Sequence, residues 1–227
     1  MRVSTLERLI LAEITKPTDR GQQKSVGPSQ IGGCPRCLGE ALALRLPEQY
    51  PELQHEENFG LGSWIGSCVH FWAEHNFDIP DGIKEQKNFV YDLKGYGVIN
   101  GSTDLYVDGC IVDYKTLGKY MYDECCLQYL LEPGKLPKVE YRAQQHLYGL
   151  GWELAGYPVK TVTLCVIPKV SNRKEDIKFF HEDYNRAYAE GVLKRLEKIW
   201  QWVQEGKLEE LPIDADCYRC SRVLFRV

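Results

Sequence analysis

No stretch of this sequence is long and apolar enough to span a membrane, and the opening residues, Met1-Arg2-Val3-Ser4-Thr5-Leu6-Glu7, lack the apolar run of an export signal. The expectation is a cytoplasmic protein with no membrane partner. Basic charge is also scarce. The 28 Lys and Arg residues face 32 Asp and Glu, a formal net charge of -4, so any nucleic-acid surface has to be a local patch. Internal repeats are missing as well, which sets solenoid and propeller architectures aside. A chain of 227 residues with ordinary apolar and charged fractions suits one globular domain with an ample core. We therefore expect a single domain over 1–227, with 29–46 and 207–227 meeting as a metal- or cluster-bound subdomain.

Cysteine is not scarce: there are nine. In a chain without an export signal they are expected as reduced thiols or metal ligands, not disulfides. Four of them form two Cys-x-x-Cys pairs, Cys34/Cys37 and Cys217/Cys220. A two-residue gap lets both thiolates of a pair face one ion or cluster, and four soft ligands suit either zinc or iron–sulfur. The span between the pairs is too long for a zinc ribbon, so the two regions must meet in space and be stapled there. Cys68, Cys110, Cys125, Cys126 and Cys165 read as small core residues.

The segment Gly101–Thr116 reads as two strands joined at Asp108-Gly109, a pair suited to the positive φ values of a tight hairpin. Strand alternation places Ile111, Asp113 and Lys115 on one side and Val112 and Tyr114 on the other. Asp104 can approach Asp113 across the hairpin. Two carboxylates and a lysine at one place suit Mg²⁺ held by Asp104, Asp113 and a backbone carbonyl, that of Tyr114. Such an ion activates water and stabilises a phosphorane-like transition state, with Lys115 orienting the water or neutralising charge. An ordinary hairpin with a surface Asp–Lys pair also fits the triplet, because short motifs recur by chance.

The flanking sequence supplies the frame. Helices are expected over 4–15, 38–46, 59–77, 120–131, 140–155 and 184–205, the last N-capped by Asp183. Strands are expected over 83–91, 98–99 and the hairpin, then 159–167 with 177–181 as its partner. Residues 17–27 read as a linker. His70 follows Gly66 by four on one helix, and Gln144 and Tyr148 stand four apart on another. The loop 168–174 is basic and able to touch phosphates, or is simply a solvated turn. Glu85 is a further acid on the approach to the hairpin. This order of elements predicts an α/β fold, helices packed on a mixed central sheet.

Read in order, Gly66-x-x-x-His70, Gly101-x-x-Asp104, Asp113-Tyr114-Lys115-Thr116 and Gln144-x-x-x-Tyr148 resemble the motifs of RecB-type nucleases of the PD-(D/E)XK superfamily. Cys34-Pro35-Arg36 with Cys217-x-x-Cys220 further resembles its iron–sulfur branch, which includes the CRISPR-associated adaptation exonucleases and phage homologues. The resemblance runs from about residue 29 to 220. It implies a restriction-endonuclease-like core in which His70, Asp104 and Asp113 ligate the metal, with Tyr114 contributing its carbonyl. Lys115 is then the catalytic lysine, and Gln144 and Tyr148 position substrate or the active-site network. It implies cluster ligands at Cys34, Cys217 and Cys220. The chain departs from that branch in having no cysteine in 221–227 and one at Cys37, which becomes the fourth ligand. The 2+2 arrangement keeps structural Zn²⁺ as an alternative to a 4Fe–4S cluster.

The resulting expectation is a Mg²⁺- or Mn²⁺-dependent DNA exonuclease of phage-type DNA processing or recombination, acting in the (host) cytoplasm. The resemblance suggests 5′→3′ action on DNA ends or single strands. The alternatives are a structure-specific or flap endonuclease using the same site, and a non-catalytic DNA-end-binding module. A homo-oligomer or a recombination partner protein is compatible with each.

Overall fold

The structure, a computed structural model, describes Arg8 and residues 26–53, 61–217 and 219–220. The helix expected over 4–15 and most of the expected linker lie outside the described residues, as do residues 221–227. Among the described residues the chain runs α1 (Pro28–Ile31), α2 (Pro35–Ala43), α3 (Leu61–Asn76), β1 (Ile83–Leu93), β2 (Gly97–Val107), β3 (Cys110–Leu117), α4 (Lys119–Leu131), α5 (Val139–Leu154), β4 (Thr161–Pro168), β5 (Lys178–Asp183) and α6 (Arg186–Gln204). Short 3₁₀ turns stand at Lys174–Asp176 and Leu208–Glu210. The fold is α/β, with helices flanking a five-stranded, mostly antiparallel sheet in the order β1-β2-β3-β4-β5. Its one parallel pairing, β3 with β4, is made by the crossover through α4 and α5.

Local chemistry sets the hairpin between β2 and β3. Asp108 and Gly109 hold φ values of 45° and 81°, the left-handed conformations that such a turn requires. The sheet's two faces then separate. Ile111 joins the main core with Leu147, Trp152, Val162 and Leu164, whereas Leu105, Val112, Tyr114 and Cys165 form a second cluster with Ala73 of α3. Residue alternation along β3 is thus filled on both sides, as expected for a central strand.

Two departures from the expected elements have clear causes. The N-cap of α6 is Asn185, whose side chain accepts the Tyr188 N–H at 3.0 Å, and not Asp183. Asp183 is consumed by the sheet, in register with Thr161, and the Tyr184 N–H donates to the Lys160 carbonyl at 2.9 Å. Asn185 is the next short polar side chain free to cap. The end of the expected linker is also anchored, for Val26 is buried and its N–H donates to the Tyr96 hydroxyl at 2.9 Å.

An irregularity in β1 seats α5. Register with β2 shifts between Lys87 and Phe89, and the displaced Asn88 turns its side chain inward. Its amide donates to the Tyr148 carbonyl at 2.8 Å, and its oxygen accepts the Thr103 hydroxyl at 2.6 Å. The Trp152 indole N–H donates to that same hydroxyl at 3.1 Å. Gly151 lets the helix touch this bulge, since a Cβ there would stand 2.5 Å from the Asn88 carbonyl oxygen. Through these contacts α5 is fixed against β1 and β2, with Gln144 and Tyr148 facing β3.

Candidate metal and catalytic site

The site forms where two strands part. β2 and β3 pair only at Leu105–Val112, Tyr106–Ile111 and Val107–Cys110, although β3 continues to Leu117. Beyond Leu105 a side chain replaces the ladder. Asp104 Oδ2 accepts the Tyr114 N–H at 2.8 Å, a bond that a neighbouring strand's carbonyl would otherwise make. Asp104 Oδ1 accepts from His70 Nδ1 at 3.0 Å, and His70 Nε2 donates to the Tyr114 carbonyl at 2.8 Å. α3 therefore bridges the gap with one imidazole. Both ring nitrogens thus face acceptors, one on β2 and one on β3. Burial alone would depress the His70 pKa, but the hydrogen bond and charge of Asp104, with the charge of Asp113, outweigh it and hold it above the ordinary value.

On the next residues of β3, Asp113 and Lys115 share a face, as strand alternation requires. Lys115 Nζ lies 2.5 Å from Asp113 Oδ2, and the carboxylate is almost wholly buried. Asp113 Oδ1 accepts from Gln144 Nε2 at 3.1 Å, and the same amide group donates to the Tyr148 hydroxyl at 3.0 Å. Burial pushes the Asp113 carboxyl up to about 6; the Lys115 charge opposes that rise and the Asp104 charge adds to it. Asp113 Oδ2 has the Lys115 ammonium as its partner.

The structure thus brings together His70, Asp104, Asp113, Tyr114, Lys115, Gln144 and Tyr148, from α3, β2, β3 and α5. Small residues make the close approach feasible. A Cβ on Gly101 would stand 2.8 Å from Tyr148 Cε1 and 2.5 Å from Pro28 Cγ, so the glycine admits both rings. Gly66 lies against the Thr116 hydroxyl, at 3.3 Å from its ideal Cβ. Two further residues, Glu74 and Lys84, line the small cleft over His70, Asp104 and Tyr114. Neither was singled out in the sequence; the four-residue step from His70 puts Glu74 on the same face of α3, whereas Lys84, on β1, carries no such signal. The side chain of Glu85 lies outside the described residues. In the basic loop, Lys169 Nζ donates to the Gly62 carbonyl at the start of α3, at 3.1 Å.

A second cluster lies elsewhere in the fold. The sulfurs of Cys34, Cys37, Cys217 and Cys220 all fall within 4.8 Å of one another, the one such group of possible ligands among the described residues. Cys34 stands at the N-cap of α2, with Pro35 at the first helical position. Arg36 binds the other side of the staple: it pairs with Glu209 and donates to the Leu211 carbonyl at 3.2 Å. Arg195 of α6 donates to the carbonyls of Ile31 and Gly33 at 2.6 and 2.5 Å. The expected meeting of the two Cys-x-x-Cys pairs is present.

No family model and no curated protein matches this chain. Solved structures do. An alkaline exonuclease from Laribacter hongkongensis, LHK-Exo, is 11% identical over 93% of this chain and 98% of its own, with a TM-score of 0.51. A complex of LHK-Exo with dAMP gives 14% identity over 88% and 95%, with a TM-score of 0.47. The protein SSO0001 gives 13% identity over 90% and 87%, with a TM-score of 0.45. At 11% identity the likeness to LHK-Exo is one of fold alone, and it spans nearly the whole of both chains.

Proposed function

We propose that this chain is a divalent-metal-dependent deoxyribonuclease that removes nucleotides from DNA ends, in DNA processing or recombination. The observation that carries the reading is the parting of β2 and β3, where two carboxylates, an imidazole, a backbone carbonyl and an ammonium collect around one opening. The fold shared with the Laribacter alkaline exonuclease supports it.

The donor set fits Mg²⁺ or Mn²⁺. His70, Asp104, Asp113 and the Tyr114 carbonyl would hold the ion: two carboxylates and a carbonyl are hard oxygen donors, and one imidazole beside them suits Mn²⁺ as well. A cation bound there supplies an acidified water and offsets charge on the phosphate. The chain's own groups do the rest. Lys115 Nζ donates toward the attacking water or a phosphate oxygen, placing its charge where negative charge develops. Gln144 fixes the Asp113 carboxylate through Oδ1, and the Tyr148 hydroxyl, which accepts from the same amide, has its own hydrogen to donate toward the strand. In the overall reaction water's oxygen forms a bond to phosphorus as the P–O bond to the neighbouring nucleotide breaks, and the leaving alkoxide takes a proton. We infer 5′→3′ polarity with single strands accepted.

End-labelled linear DNA and covalently closed circular DNA, each with Mg²⁺, test this. The expected result is stepwise release of nucleotides from linear DNA only, abolished by Asp113→Ala and by Lys115→Ala. Activity surviving both substitutions discards the mechanism. Cleavage of closed circles would make the enzyme an endonuclease, and metal-independent binding without turnover would make it an end-binding module.

A further inference from the structure

We propose that Cys34, Cys37, Cys217 and Cys220 close around a single tetrahedral ion, zinc, and not around the four-iron cluster that the family resemblance implies. The argument is one of size. A tetrahedron of metal–sulfur bonds about 2.3 Å long sets its sulfurs about 3.8 Å apart. A 4Fe–4S cluster gives each cysteine its own iron, so two Fe–S bonds and an iron–iron edge lie between any two thiolates and set their sulfurs roughly 6 Å apart in a straight line. Here the nearest sulfurs stand 3.4, 3.5 and 3.7 Å apart, and none of the four is more than 4.8 Å from another. That cage admits one ion. A cubane does not fit within it.

The surrounding backbone resists the opening that a cubane would need. One knuckle is held by the Leu38 N–H donating to the Cys34 carbonyl at 3.0 Å and by Arg195 on Ile31 and Gly33. Arg36 ties that knuckle to the second segment, its N–H meeting the Pro212 carbonyl at 3.3 Å and its guanidinium the Leu211 carbonyl. Packing closes the seam further, because an ideal Cβ on Gly39 would stand 2.3 Å from Leu211 and 2.9 Å from Leu208. Moving the two segments apart by the difference between the cages would break these contacts. Four thiolates in a small tetrahedron select zinc among the common ions, since zinc has no preferred geometry to oppose and soft sulfur donors suit it. The ion's role is then to join the segment before α3 to the segment after α6, with no change of oxidation state.

This assignment does not rest on the nuclease reading, and its test reads metal, not turnover. The intact chain is produced in cells supplied with both iron and zinc, purified without oxygen, and analysed for metals and acid-labile sulfide. Metal-free chain is then offered Zn²⁺ in competition with Fe²⁺ and sulfide. The expected result is a colourless protein with one zinc per chain, retained in the competition. Exchange for Co²⁺ should give the intense blue-green bands of a tetrahedral tetrathiolate site. Cys37→Ser and Cys217→Ser should each lower zinc retention; if either fails to fold, the wild-type metal count still decides. A brown protein with four irons and four sulfides overturns the proposal. So does a chain that binds a single iron in preference to zinc, or no metal at all.

Discussion

Replacing Glu182 by Gln should destabilise the protein by about 3 kcal/mol at neutral pH, and that loss should shrink in acid. Glu182 lies on β5, 7% exposed, and faces α5. Its two oxygens share the single Arg142 Nε–H, at 2.8 and 2.9 Å, and Oε1 also accepts from Arg142 Nη2 at 2.5 Å. It also accepts the Leu136 N–H at 2.8 Å, and His146 Nε2 is 3.3 Å away. Burial alone would raise this carboxyl, but the His146 ring, the Arg142 fork and the Leu136 N–H more than reverse it and hold the pKa at about 2, against an ordinary 4.5. A depressed acid contributes stability that is full above its unfolded pKa and is lost as pH falls through the folded value. The difference, at about 1.4 kcal/mol per unit, is about 3 kcal/mol at pH 7.5 and about 1.4 kcal/mol at pH 3. Gln keeps the shape and one acceptor but leaves Arg142, mostly buried over the Tyr188 ring, without its counter-charge. Urea unfolding followed by fluorescence measures the result. With a slope near 3 kcal/mol per molar, the midpoint of the variant should fall by about 1 M at pH 7.5 and by about half that at pH 3. A gap that is the same at both pH values, or none at pH 7.5, would refute the account.

Other perturbations separate scaffold from chemistry. Gly101→Ala forces a methyl against Pro28 and Tyr148 and should cost about 1–3 kcal/mol, read as a lower thermal midpoint; an unchanged midpoint would show that the contact yields freely. Gln144→Ala releases both Asp113 Oδ1 and the Tyr148 hydroxyl, and should lower nuclease turnover or metal affinity about 10- to 100-fold while the fold persists. Gln144→Glu, which repels Asp113, should be at least as damaging; wild-type activity in either variant would remove Gln144 from the network.

The parts of this molecule legible in its sequence are those fixed by short-range stereochemistry. Asp108-Gly109 declares a turn because few residue pairs tolerate positive φ, and the turn in turn sets which side chains share a face with Asp113. The side-by-side placement of Asp113 and Lys115 follows from a two-residue period, and that of Gln144 and Tyr148 from a helical one. The illegible parts are those in which one element answers another. Asp104 reaches Tyr114 only because β2 and β3 part after three pairs, and no property of Gly101–Val107 read alone announces that parting. Likewise Asn88 becomes an anchor for α5 only once a register shift turns it inward, and Asp183 forfeits its capping role only because Thr161 claims its backbone. Glu182 reads as one more surface acid until α5 brings Arg142 against it. The cysteine pairs stand between these cases. Their spacing lets both thiols of a pair face one point, whereas how closely the two pairs approach depends on contacts such as those of Arg36 and Arg195 between distant segments.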